Sequence, residues 1–313
     1  MEFGIAVPGR AAFDAVGFGL NAVDHLCVVP RYPEEDSKTS ILSFTRAAGG
    51  QAATAMVALS RLGLRAKYVG KVGGDEAGAF SLASIRREGV DVSDVPAVAG
   101  VSNQLAIIIV DRRTGERTIL WHRPVEIATR PEELTSEKVA VGRVLLVDGH
   151  DAPAAVRAAA LARERGVPVV LDAETVKDGT ADLVPLVDLL VASSRFPALF
   201  TGTDDRLEAL RRLRASGPRF VAMTLGREGA LALAPDGSAV RSAGFAVEAV
   251  DTTGAGDVFH GAFVYGLLQG WTVERTLDFS NAAAALNCTA LGARGRLGTA
   301  AEVQAFAAGT PRV

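Results

Sequence analysis

Val250-Asp251-Thr252-Thr253-Gly254-Ala255-Gly256-Asp257-Val258-Phe259-His260-Gly261-Ala262 is the stretch on which the fold turns. Three small residues, Gly254-Ala255-Gly256, stand between two carboxylates, and Phe259, Ala262, Phe263, Gly266 and Leu267 recur behind them at helical spacing. The spacing predicts a helix that begins at the small residues. Its first N–H groups have no intrahelical acceptor, carry the positive end of the helix dipole and are left uncovered, so they suit an anion. Asp257 then faces an anion site, which is electrostatically costly unless the carboxylate has a chemical task. One such task is taking the proton from a hydroxyl that attacks a phosphoryl group. A glycine-rich turn with a capping aspartate explains the same letters, and the rest of the chain has to decide.

At 313 residues the chain is long enough for one large α/β domain or two smaller ones. Forty-nine per cent of the residues are apolar and 22% are charged, which is globular and not disordered. A net charge of −3 leaves no electrostatic footprint for nucleic acid or an anionic membrane. Cys27 and Cys288 lie far apart without Cys-x-x-Cys spacing, which argues against a zinc site or a disulfide framework and fits a reducing, cytoplasmic setting. His25, His122, His150 and His260 share no spacing, so no metal cluster is expected. Residues 1–13 lack the pattern of a signal peptide and read as a loose extension, and no segment reaches membrane-spanning length.

Ala15-Val16-Gly17-Phe18-Gly19 reads as a strand, and Gly17, Gly19 and Ala22 match the letters of a dinucleotide fingerprint. That motif needs a helix after the strand, whereas Val23 to Val29 is β-rich and runs into Pro30 and Pro33, so extended chain is expected instead. From there to Phe44 the pattern is of strands leaving the main body. Gly49-Gly50 opens a helix closed by Gly63, and α/β alternation follows as far as Gly89. Gln104 to Val110 and Arg117 to Trp121 read as a hairpin that interrupts the rhythm. The alternation then resumes with Val144 to Asp148, Pro168 to Asp172, Val187 to Val191 and Phe220 to Thr224, strands apolar along their whole length, as in a parallel sheet buried on both faces. The expected organisation is a main domain of residues 14–27, 45–100 and 125–313 with a β lid of residues 28–44 and 101–124.

Asp24 stands past the end of the first strand, where the ligand crevice of an open α/β sheet lies, although a loop aspartate is as readily a turn former. Gly49 and Gly50 at a helix start allow close approach of a ligand to the backbone, or simply the entry of a helix packed on the sheet. Thr224-Leu225-Gly226-Arg227-Glu228-Gly229 follows a strand and offers hydroxyl and backbone groups to phosphates, while Asn281 and Asn287 on a later helix suit a base pocket or a solvated face.

In these residues the chain resembles the PfkB (ribokinase-like) family of carbohydrate kinases, from about Ala15 to Gly298. One family signature is similar to Gly49-Gly50-Gln51-Ala52-Ala53-Thr54 through Gly63, and a second, highly specific one to Asp251-Thr252-Thr253-Gly254-Ala255-Gly256-Asp257. The resemblance implies a three-layer α/β/α sandwich around a mostly parallel sheet, with a small β-sheet lid. It implies ATP-dependent phosphorylation of a sugar hydroxyl, with Asp257 as base and Gly254, Ala255 and Gly256 as anion hole. Asp24, Gly49 and Gly50 would hold the sugar; Thr224, Gly226, Gly229 and Asn281 would line the ATP site; magnesium would bridge the phosphates. Asp251 and Gly292 resemble the part of the family that binds potassium, and the lid resembles one that forms a homodimer interface.

Two departures stand out. Thr54 replaces a common asparagine, so that residue's sugar contact is missing, and Ser193-Ser194-Arg195-Phe196 replaces Asn-x-x-Glu, which helps to order magnesium in many members. Both move the chain towards the ketohexokinase-like and sulfofructose-kinase-like branches, as do Tyr32 to Lys38 and Asp257 to Ala262, and Lys38 on the lid would pair with an anionic substituent. A ketose is the expected acceptor. A nucleoside kinase and a regulator that has lost catalysis are the competing readings, the intact Gly-Ala-Gly-Asp standing against the second.

Overall fold

The computed structural model describes residues 1–313. From the N-terminus, β1 (Phe13–Phe18) leads directly into β2 (Ala22–Val29) and β3 (Ser43–Gly49), and α1 (Gln51–Arg61) follows. Next come β4 (Ala66–Val69), β5 (Val72–Gly73), α2 (Glu76–Arg87) and β6 (Ala97–Val98). The hairpin β7 (Leu105–Asp111) and β8 (Arg117–His122) precedes α3 (Ser136–Val139), β9 (Gly142–Val147), α4 (Ala152–Glu164) and β10 (Val169–Ala173). Beyond α5 (Thr180–Leu183) lie β11 (Leu189–Ala192), α6 (Phe196–Thr201), α7 (Arg206–Ala215) and β12 (Phe220–Thr224). A second hairpin, β13 (Ala230–Leu233) and β14 (Ala239–Ser242), leads to α8 (Ala255–Leu268), α9 (Val273–Asn287) and α10 (Ala300–Gly309).

Eight strands form the main sheet in the order β14-β13-β12-β11-β10-β9-β1-β4, parallel from β4 to β12 and antiparallel at β13 and β14. Side chains alternate between its faces, so the unbroken apolar strands must be covered on both. Val144 and Leu146 of β9 pack into a cluster with Met56, Phe263 and Leu277, while Leu145 and Val147 join Ala158 and Leu210 on the other side. That is the α/β/α layering. The alanine-rich α4 buries Ala154, Ala155, Ala158, Ala159 and Ala162, whose small side chains let its backbone approach the sheet closely.

The lid is a four-stranded sheet, β3-β2-β7-β8, in which β2 pairs antiparallel with β3 and parallel with β7. Its first strands reach from Ala22 to Gly49, beyond the 28–44 expected, because β2 and β3 pair from Ala22↔Gly49 onward and Leu26 of β2 packs with Ala106, Ile108 and Val110 in a small core of this sheet. Gly17 and Gly19 are steric necessities here: a Cβ at Gly17 would meet Met56, and one at Gly19 would run into the Asp148 carboxylate. No helix follows them, so the dinucleotide fingerprint is a coincidence of letters. The first residues are not loose. Phe3 is buried against Phe220 and Phe263 with ring centroids 5.0 and 5.4 Å away, because the apolar end of the sheet needs a cover. No helix is long and apolar enough to cross a membrane.

Candidate active site

The C-terminal ends of β1, β9, β10, β11 and β12 open under the lid, where parallel α/β sheets place their ligands. The start of α8 lies in this cleft. Gly254 caps the helix with φ 74°, and a Cβ on it would strike the Ala293 backbone, so two loops touch at a point that only glycine permits. The N–H groups of Gly254, Gly256 and Asp257 meet no backbone acceptor. Ala255 is different: its N–H donates to the Thr252 carbonyl at 3.3 Å, so three uncovered donors remain, with that of Asp257 joining the expected set. Asp251 braces the turn from behind. Its carboxylate accepts from Thr253 N (2.8 Å), Thr253 Oγ1 (2.6 Å) and Gly292 N (2.8 Å). Gly292 and Asp251, the two residues named for potassium, are thus linked by one hydrogen bond.

Asp257 lies deep in the cleft yet keeps part of its surface open. Burial pushes its carboxyl up to about 8, and the charge of Asp172 on β10 adds to the effect. Burial likewise raises Asp172 well above the usual range. His260, one turn along α8, bridges this region: Nδ1 lies 2.6 Å from the Gly256 carbonyl, and Nε2 lies 3.1 Å from the Val191 carbonyl and 3.4 Å from Asp172 Oδ1. Asp172 Oδ2 is buried without a donor. A base works only when ionised, so the rate with limiting sugar is expected to fall about tenfold per pH unit below pH 8. A pH–rate profile that stays flat from pH 8 down to pH 5 would remove Asp257 as base.

On the acceptor side, Asp24 is 5% exposed and burial pushes its carboxyl up to about 6, opposed by the Arg294 guanidinium. Gly49 must be glycine because its Cβ would overlap the Asp24 carboxylate, and Gly50, with φ 92°, caps α1 against the Leu20 carbonyl. These three residues meet in one place. Lys38 is exposed in the loop between β2 and β3 and makes no hydrogen bond within the chain.

On the opposite side, Thr224 ends β12 with its hydroxyl 3.4 Å from the Ala192 carbonyl, and Gly226 (φ 58°) opens the turn beside it. Gly229 (φ 97°) is a packing glycine whose Cβ would overlap the Ser242 carbonyl. The Asn281 amide, buried, donates to Ser242 Oγ at 2.8 Å and to the Ser242 carbonyl at 3.2 Å, tying α9 to the end of β14. It acts there as a brace. Two arginines escaped the sequence reading because their partners are distant in the chain. Arg117 of β8 donates to Thr252 Oγ1 at 3.0 Å, so the lid hairpin rests on the turn before α8, and Arg294 reaches the turn between β3 and α1.

The pfkB family carbohydrate kinase profile matches residues 14–299. The chain is 33% identical over 268 residues to the ATP-dependent ribose-1-phosphate kinase of Halopiger xanaduensis, covering 85% of this chain and 88% of that one. Its fold is similar to that of a candidate ribokinase from Agrobacterium tumefaciens (TM-score 0.87, 30% identity, covering 94% of this chain and 97% of that one). A candidate Ribokinase II from E. coli, solved in complex with ATP and magnesium, shares the fold at TM-score 0.82 and 18% identity, covering 94% of this chain and 98% of that one.

Proposed function

The chain belongs to the pfkB family of carbohydrate kinases, ATP-dependent enzymes that phosphorylate sugar hydroxyls, and from that premise we propose a specific division of labour among its residues. The observation that carries it is a carboxylate raised into the neutral range beside uncovered N–H groups at a helix start. Asp257 takes the proton of the acceptor hydroxyl, the oxygen attacks the γ-phosphorus of ATP, and ADP leaves. The free N–H groups of Gly254, Gly256 and Asp257 stabilise the charge that gathers on the transferring group. Asp24, with Gly49 and Gly50 behind it, receives the sugar. Thr224 and Gly226 flank the nucleotide, and Gly229 and Asn281 support them.

Asp172, whose Oδ2 is a buried carboxylate oxygen without a donor, and Glu174, whose charge acts on Asp257, would be the residues to hold magnesium; bound with ATP it would neutralise phosphate charge. Ser193, in place of the family asparagine, instead donates to the Glu174 carbonyl at 2.7 Å and fixes that strand end. The lid leaves Phe44, Leu120 and Trp121 exposed at 61%, 54% and 65%, which supports pairing with a second copy through the lid. We place the enzyme in the cytoplasm, where Cys27 and Cys288, both unpaired, stay reduced.

The acceptor is a sugar, with a ketose favoured by Asp257 to Ala262 and Tyr32 to Lys38. Incubation with ATP and a panel of fructose, ribose, ribose 1-phosphate and adenosine tests this. The expected outcome is turnover of a sugar and none of adenosine. Turnover of adenosine alone would make the protein a nucleoside kinase, and ATP binding without any turnover would make it a regulator.

A further inference from the structure

Arg294 carries a charge that the division of labour above does not use. Its Nε–H donates to Thr54 Oγ1 (3.1 Å), Nη1 to Ser84 Oγ (3.2 Å) and Nη2 to the Gly49 carbonyl (2.9 Å). A guanidinium has five N–H donors, so two remain unspent. All three acceptors are neutral. A cation in that position is expensive to bury, and burial pushes it down to about 10 against the attraction of Asp24 and Asp257. Arg294 also keeps part of its surface accessible, so it lines the cleft and is not sealed beneath it.

Asp24 and Asp257 can only accept hydrogen bonds when ionised, whereas each sugar hydroxyl both gives a proton and offers lone pairs. A sugar held by carboxylates alone would leave its oxygens half satisfied, and buried polar atoms without partners weaken binding strongly. Thr54 cannot fill the gap, because it is fully buried, and its hydroxyl oxygen instead accepts the Arg294 Nε–H. We propose that Arg294 is the side-chain donor of the acceptor site, and that with Asp24 it selects a sugar bearing two adjacent free hydroxyls. Two unspent N–H groups and a two-oxygen carboxylate match such a diol in number and in polarity. The inference rests on the carbohydrate-kinase reading.

The test compares the wild type with Arg294→Met on ribose, 2-deoxyribose and 3-deoxyribose, and on fructose, 3-deoxyfructose and 4-deoxyfructose, each with ATP. For the parent sugar the expected result is a KM raised roughly 10-fold to 100-fold, since losing a charged donor leaves a buried hydroxyl unpaired. The KM for ATP should stay within about twofold, because Arg294 touches only the acceptor side. On the analogue that lacks the bonded hydroxyl, wild type and variant should coincide. A variant that raises KM by one common factor for the parent and every analogue, or that leaves KM unchanged, overturns the proposal and leaves Arg294 as a structural tie. Arg294→Gln keeps neutral donors and serves the same comparison if the methionine variant does not fold. Wild-type enzyme inactive on every sugar would sink the kinase reading and this inference together; an active wild type isolates the failure to Arg294.

Discussion

Asparagine in place of Asp257 is expected to give a folded protein that binds ATP normally and transfers phosphoryl groups at least about 10²-fold more slowly, the loss typical of removing a general base. The substitution keeps the shape and removes only the ability to take a proton. It also removes a carboxylate that burial disfavours, as the rise to about 8 shows, so the fold should not suffer. Unchanged thermal unfolding and ATP affinity alongside a collapsed kcat would separate chemistry from stability. Turnover near the wild-type rate would return Asp257 to a capping role, and the start of α8 to a binding turn.

Gly254→Ala should be nearly as damaging for a different reason. The φ of 74° costs an L-residue about 1–2 kcal/mol, and the added Cβ would overlap the Ala293 backbone, which cannot move without disturbing Gly292 and its bond to Asp251. The start of α8 has to retreat, displacing donors whose individual loss in comparable sites costs roughly 10²–10³ in kcat. Thermal unfolding should fall as well, by roughly 1–2 °C per kcal/mol in a chain of this size. Gly256→Ala is the control. Its Cβ would meet nothing within 4 Å and its φ is not in the left-handed region, so it should leave the melting temperature nearly unchanged. Equal destabilisation by both substitutions would show that the Gly254–Ala293 contact is not what holds the turn.

Much of the site was legible because its residues are local. The turn with its uncovered N–H groups, its carboxylate and the helix behind it occupy one short segment, and glycines that admit a backbone or a carboxylate mark themselves by type. Gly49 is such a case, since its missing Cβ is the space that Asp24 occupies. Asn281 was harder, because a buried amide on a helix serves a ligand or a neighbouring strand equally well, and only the position of Ser242 shows the strand tie. Phe3 sat in a segment without periodicity, and its place against Phe220 and Phe263 depends on rings far along the chain.

By itself the sequence determined the α/β alternation with its fully apolar strands, the β excursions that interrupt it, and the start of a helix at small residues beside a carboxylate. Those features follow from periodicities of about two and 3.6 residues and from steric demands that a single glycine makes visible. Only the tertiary structure decided where charge resides in the cleft. The pKa values of Asp257 and Asp24, the bridge from His260 to Asp172 and the position of Arg294 between α1, α2 and the Gly49 turn all depend on burial and on partners up to 245 residues away in the chain. Desolvation and Coulomb attraction act through space, and no local pattern records them.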